Sequence, residues 1–574
     1  MGTCGFIDEL SKLRKSSKDS VDNTETFGEF KKYMHVTREI ENDLKEILRY
    51  INQNGNKSLV LLCGSAGDGK SHLLSYLKNN DDEKLLSGYT IYNDGTESIS
   101  PTKTAIDTLN ELLIDYSDEN LLRNSSQRKN TILAINLGVL NNFIESEYGI
   151  NYNALKNYIL DRGILTSRTI NEVISPNAYF QSINFSDYHM FNLSENGVDA
   201  IFVEKLLDKV FNEEKSNPFF KKYKDVCISC TYSHYCPVKH NYEFMIKKEC
   251  QKYVANLLTE CMIKDKMILT ARELQNFMYD IVVPLNFNPI ITMDATNVSK
   301  RISTYLSSIT PSLLFDQKDT SHLANVVEKY DPVKIRTEKM DEAAIEFYVA
   351  NDIEKELINE FFNLPYLYFI KDDQIIKRIA KDKMYRTKLF SIIKRCDFDC
   401  NNYDNDVYKN FLLDLYRYNS NNVVKLNNLY DAIEHAVKQW CGTDEDDNLC
   451  IETNKSGYEL FEEVDFEVCD IECSGNPVDE DLNKFANDIE IKYKDSKNEA
   501  ITLVIDYDLY KLIMKLNKGY VHTSEDRNSH ADFLTFIKKI KNSGNADKKI
   551  IVTAPDGTKV TFKKTNYGYS YKNK

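Results

Sequence analysis

No stretch of this 574-residue chain approaches the roughly 20 consecutive apolar residues that a membrane-crossing helix needs. The opening MGTCGFIDELSKLRKSS has no apolar signal-peptide core, and position six is Phe rather than the Ser or Thr that N-myristoylation favours. A cytoplasmic protein with no membrane partner is expected. Basic clusters are scarce as well: 73 Lys and Arg face 88 Asp and Glu, for a net charge of −15. Such a chain is not expected to wrap nucleic acid over a wide surface, which leaves a local basic groove or contact through a partner. The thirteen cysteines are odd in number and scattered, so they do not read as a disulfide framework. No internal repeat is visible.

What is present is an ordinary apolar content, 42%, in a chain too long for one core. Residues 1–57 are polar and helical in pattern, with KKYMHVTREIENDLKEILRYI carrying apolar positions at helical spacing. From 58 to 197, strands and helices alternate. Strands are expected at 58–63, 89–93 and 131–137, and helices at 70–78, 103–115 and 152–162. This alternation predicts a parallel sheet flanked by helices. Residues 198–289 read as a helical lid with a Cys-rich insert, and 290–441 as a helical middle region. An acidic stretch at 442–457 reads as a linker, and 458–574 as an α+β domain with alternating strands.

The most specific chemistry lies in Gly64–Ser71, GSAGDGKS, which matches the phosphate-binding loop G-x-x-x-x-G-K-[S/T]. The apolar run Leu59–Leu62 precedes it and the helical HLLSYL follows, which is the strand-loop-helix context the motif requires. Gly64, Gly67 and Gly69 allow the tight turn, and the N–H groups of Ser65, Ala66, Asp68 and their neighbours up to His72 are expected to face phosphate oxygens. Lys70 is assigned to the β- and γ-phosphates of ATP and the Ser71 hydroxyl to Mg²⁺.

Hydrolysis needs a carboxylate and polar groups that sense the γ-phosphate. Asp94, at the end of the strand YTIYN, and Glu97 in DGTES are the metal-binding or water-activating candidates. A turn Asp followed by a helix-capping Glu is the other reading, and no hhhhDE segment settles the choice. Asn136, at the tip of ILAIN, is either a nucleotide sensor or a strand-ending Asn. Thr270 and Glu273 have capping-box spacing, which puts Arg272 in the first turn of a helix. That arginine is either a second sensor or a solvated side chain. These features together predict an α/β P-loop NTPase core of AAA+-like architecture.

Cys227-x₂-Cys230-x₅-Cys236-x₃-His240 offers three thiols and an imidazole at spacings suited to a structural Zn²⁺. His234 competes as the fourth ligand, and a set of reduced cysteines in a loop is the alternative. In the C-terminal region HTSEDRNSHADF lacks the spaced carboxylates plus Lys of a metal-dependent nuclease, and reads as a solvated loop before a helix.

CGSAGDGKSHLL, YNDGTESISPTKTAIDTLNELL and ILAINLGVLNNF resemble the DptF (DndF) family of bacterial DNA phosphorothioation-dependent restriction systems. The resemblance continues through CPVKHNYEF, LTARELQNFMYDI, SLLFD, YDPVKIRTEKMD and LVIDYDLYKLIMKLNKGY, so it spans nearly the whole chain. It implies an ATPase-like subunit that acts with DptG and DptH partners against DNA lacking the sulfur modification, touching DNA through the complex. Residue by residue, it carries over Gly64, Gly69, Lys70 and Ser71. A nucleotide-gated scaffold with little hydrolysis and a nuclease subunit remain the alternatives, as does assembly into a homo-oligomer.

Overall fold

Leu59–Gly64 (β1) is apolar throughout because both of its faces are covered, as in a parallel sheet packed between helix layers. In the computed structural model β1 pairs in parallel with Asn130–Asn136 (β3) on one side and Phe180–Asn184 (β4) on the other. Tyr89–Tyr92 (β2) pairs in parallel with β3, which gives the order β2-β3-β1-β4. The structure describes all residues except 1–3, 15–27, 56, 94–103, 124–127, 166–171, 286, 288–296, 318–319, 398–405, 470–480, 496–498, 544–548, 566–567 and 574.

The N-terminal segment supplies Gly5–Leu10 (α1), Glu29–Tyr33 (α2) and Glu39–Asn54 (α3). The period of two along β1 then divides the core. Leu59, Leu61 and Cys63 face Ala105–Leu113 (α5), Leu137–Ile144 (α6) and Asn153–Asp161 (α7), through Leu109, Phe143 and Ile159 among others. Val60 and Leu62 face α3 and Lys70–Asn79 (α4), through Leu44, Ile47, Leu73 and Leu77. Helices therefore cover both faces of the sheet, as the alternation predicted.

Two details depart from the sequence reading. FQSIN, residues 180–184, becomes β4 although it carries no apolar run. The apolar stretch from 131 onward is split, because β3 ends at Asn136 and α6 begins at Leu137 with no intervening loop.

The chain continues through Ile201–Phe211 (α8), Pro218–Cys227 (α9), Pro237–Ile246 (α10), Lys248–Lys264 (α11) and Ala271–Asp280 (α12). Further helices run to Lys383–Cys396, where the buried Arg395 guanidinium holds Asp331 (3.1 and 2.7 Å) and Asp316 (2.6 Å).

The residues gather into two compact units: Met1–Asn192 with Asp199–Asp404, and Leu193–Val198 with Asn405–Lys574. The helices Asp406–Asn419 and Asn427–Cys441, grouped by sequence with the helical middle, belong to the second unit. There the Tyr510 hydroxyl donates to Asp414 at 2.8 Å, and the Asn517 amide donates to the Ala432 carbonyl at 3.0 Å. Residues 442–457, expected as a linker, contain the strand Leu449–Thr453 of a five-stranded antiparallel sheet. Asp526 lies in a capping box with Thr523, and His522 stacks on Trp440 with ring centroids 3.9 Å apart.

Candidate functional site

The loop between β1 and α4 is built by three glycines in conformations other residues resist. Gly67 and Gly69 take φ of +91° and +102°. A side chain at Gly64 would lie 2.7 Å from Asp68 Oδ2 and 2.9 Å from Phe185 Cβ, so the close approach itself demands glycine. The loop is braced internally: the Ser65 N–H donates to Asp68 Oδ2 (2.5 Å) and Lys70 Nζ donates to the Ser65 carbonyl (2.6 Å). Lys70 is buried, and its α-carbon starts α4, so its ammonium sits where the free N–H groups of that helix N-terminus also point.

Two neighbours expected from the sequence, Asn136 and Arg272, converge on this loop. The β1–β3 register sets Asn136 directly opposite Gly64. The Ser71 hydroxyl donates to the Asn93 carbonyl at 3.3 Å, which ties α4 to the end of β2. Thr270 caps α12 in a capping box with Glu273, and its hydroxyl would lie 3.3 Å from a Cβ at Gly67. The first turn of α12 is thereby pressed against the loop, and Arg272 joins Ala66–Leu73 and Asn136 around one cavity of about 550 Å³. Asp94 and Glu97 lie outside the described residues; Asn93, the residue before them, lines the cavity.

The remaining wall was not foreseen. Phe30, His35, Arg38 and Glu41 of the N-terminal segment line the same cavity, with Phe202 of α8. His35 Nδ1 lies 3.2 Å from His72 Nε2, its Nε2 lies 3.0 Å from Glu41, and its ring stacks on Tyr76 at 3.4 Å. Arg38 donates to the Tyr188 carbonyl at 3.0 Å and lies over the Phe202 ring at 5.0 Å. A histidine and an arginine some 30 residues before a glycine loop give no periodic signal. HVTR, just ahead of α3, was their only mark in the sequence.

Burial sets the electrostatics. It lowers the Arg38 pKa, against the pull of Asp68, and raises that of Asp68 despite the Ser65 N–H, Lys70 and Arg38. Burial, reinforced by His35 and Lys31, drops His72 to about 4, so its imidazole is neutral near pH 7. Burial raises the Glu41 carboxyl, but His35 and Lys45 outweigh it and hold the group below its ordinary value. The cavity thus brings Lys70, Arg38 and Arg272 to a surface whose described carboxylates, Glu41 and Asp68, are already engaged. Such a surface suits an anion.

The Cys-rich insert lies elsewhere in the first unit. Cys227 ends α9, Cys236 precedes α10, and all three insert cysteines are free thiols. His240 Nδ1 lies 2.6 Å from the Tyr305 hydroxyl and its ring stacks with Tyr368, while its buried Nε2 completes no hydrogen bond. Among the described residues no three His, Cys, Asp or Glu side chains are already gathered closely enough to hold an ion. No helix among them is long and apolar enough to cross a membrane.

No protein-family model matches the chain, and no curated protein matches it.

Proposed function

We propose that this cavity binds ATP with Mg²⁺ and that the chain is an AAA+-like P-loop ATPase. The observation that carries the reading is the glycine loop whose Gly64, Gly67 and Gly69 leave room for an anion beside Lys70, Ser71, Asn136 and Arg272. The loop N–H groups and Lys70 would hold the phosphates, with Lys70 exchanging its Ser65 carbonyl for phosphate oxygens. Ser71 would hold the metal, which supplies charge neutralisation at the transferred phosphoryl group. Asn136 and Arg272 flank the loop and are the γ-phosphate sensors in this reading. Asp94 or Glu97 is proposed to orient the attacking water. Phe30 and Phe202 would offer the base and sugar an apolar wall.

The family strings support a place for this chain in a phosphorothioation-dependent restriction complex with DptG and DptH, reaching DNA through that assembly. A structural Zn²⁺ in the insert belongs to the same set of proposals. A nucleotide-gated scaffold is the second reading, favoured by the engagement of Glu41 with His35 and Lys45 and of Asp68 with the Ser65 N–H.

The test is titration of the full chain with fluorescent ATP, alongside Lys70→Ala. A charge-assisted hydrogen bond contributes about 1.5–3 kcal/mol, so the variant should bind about 10- to 100-fold more weakly with its fold intact. Equal affinity would refute the site. Phosphate release with and without DNA then separates ATPase from scaffold. Copurification with the two partners, followed by binding to modified and unmodified duplexes, checks the restriction role.

A further inference from the structure

We propose that the chain carries a structural Zn²⁺ held by Cys4, Cys227, Cys230 and Cys236, so that the N-terminal arm, rather than His240, closes the site. This inference is independent of the nucleotide reading.

Three chain elements converge at one point. Helix α1 packs along α9 so closely that a side chain at Gly5 would lie 3.3 Å from Lys222 Cε and 3.9 Å from Val226 Cγ2. That contact sets Cys4, the residue before Gly5, beside Cys227, the residue after Val226. Phe6, fully buried, then wedges between Tyr223 of α9 (ring centroids 5.9 Å) and Tyr242 of α10 (5.1 Å). The wedge holds the C-terminal end of α9 and the start of α10, where Cys227 and Cys236 sit, against the same short helix. Cys227 accordingly lies in the field of Cys236, Cys4 and Cys230, and Cys236 in that of Cys4 and Cys230. Four thiols from two distant parts of the sequence thus lie within electrostatic reach of one another, none in a disulfide, and side-chain movement is needed to gather them around one ion.

Burial pushes the Cys227 and Cys236 thiols up, Cys236 to about 11, and local groups offset only part of that rise. Cys236 precedes α10, and the Val238 and Lys239 N–H groups in the first turn of that helix favour its ionised form against burial. N–H donors of this kind orient sulfur ligands and stabilise their charge. Lys239 also acts on Cys227, and Lys222 Nζ lies 3.7 Å from where a Gly5 side chain would start. These cations would offset part of the double negative charge of a four-thiolate zinc centre. His240 is the competing fourth ligand, since its ring stacks on Tyr368 with Nδ1 on the Tyr305 hydroxyl while its buried Nε2 completes no hydrogen bond, and the Cys4 and His240 variants below decide between the two.

Zinc binding requires the four thiols to give up their protons and the side chains to close from their present spacing onto about 2.3 Å Zn–S bonds. Cys227 and Cys230 flank a two-residue gap, a spacing that chelates one ion. The ion would staple the arm to the helical layer, adding to the burial of Phe6, Leu10 and Leu13 and the Arg14–Asp280 ion pair.

The experiment uses the full chain purified without chelator. Elemental analysis should find about one zinc per chain, and replacement by Co²⁺ should give the intense thiolate-to-cobalt absorption and visible bands of a four-sulfur tetrahedral site. Cys4→Ser should weaken zinc retention against a chromophoric chelator at least about tenfold, and His240→Gln should leave it unchanged. The cobalt spectrum of the unaltered chain reports the ligand set even if a variant folds poorly. A chain that copurifies with no zinc and fails to take up added cobalt overturns the proposal. So does a three-sulfur, one-nitrogen spectrum, or retention lost in His240→Gln but kept in Cys4→Ser.

Discussion

His72 follows the loop residues Lys70 and Ser71, and its half-buried imidazole lies against His35 within the field of Lys31 and Glu41. Burial is the main reason its pKa falls from 6.5 to about 4, with His35 and Lys31 adding to it and Glu41 opposing. In the unfolded chain the same ring titrates near 6.5. Between these values the unfolded state binds more protons, so stability is complete above pH 6.5 and falls as the pH drops toward 4. The gap from 6.5 to about 4 is worth about 3 kcal/mol at 1.36 kcal/mol per pH unit, of which about 2 kcal/mol is lost by pH 5. Acid also protonates Glu41 and other carboxylates, so the decisive quantity is the difference between the chain and His72→Gln. Urea unfolding of both, followed by far-UV circular dichroism from pH 8 to 4, measures it. The variant should lose about 2 kcal/mol less than the parent between pH 7 and 5. Parallel curves over that range would mean that the ring is hydrated and that the packing of His72 and Tyr76 around His35 does not exist in solution.

Other outcomes follow from the same geometry. Gly67→Ala should weaken nucleotide binding and cost about 1–3 kcal/mol of stability, because a side chain at φ +91° is strained and meets Thr270 at 3.3 Å; calorimetry and ATP titration read both. Arg395→Met should cost about 3–5 kcal/mol by leaving Asp331 buried without its partner, and adding Asp331→Asn should recover part of that loss in the same denaturation assay. Arg272→Ala should slow phosphate release more than it weakens ATP binding if the arginine acts as a sensor. An equal loss in both would assign it to ground-state binding.

How far the sequence could be read depended on whether the information was local. The glycine loop, β1, β3 and the Thr270 cap are local patterns, and each stands where its residues suggested. Strand β4 was missed because it buries polar residues, Gln181 and Asn184, and so carries no apolar run; parallel pairing with β1 is what makes it a strand. The β3–α6 junction was missed because an apolar run carries no mark of where a period of two becomes a period of 3.6. The cavity's outer wall was invisible for a different reason. His35, Arg38 and Phe202 reach it only through tertiary packing of α3 and α8. The allotment of residues 405–441 to the second unit likewise rests on contacts such as Tyr510–Asp414, 96 residues apart.

The wall contributed by residues 30–41 bears on how the protein can be divided. A fragment cut at residue 58 would keep every residue of GSAGDGKS and the four-stranded sheet. It would lose Phe30, His35, Arg38 and Glu41, and with them one side of the cavity and the apolar cover that α3 gives Val60 and Leu62. A fragment that keeps the whole cavity therefore begins upstream of residue 30. Its boundary is drawn by the lining of the cavity and not by the motif.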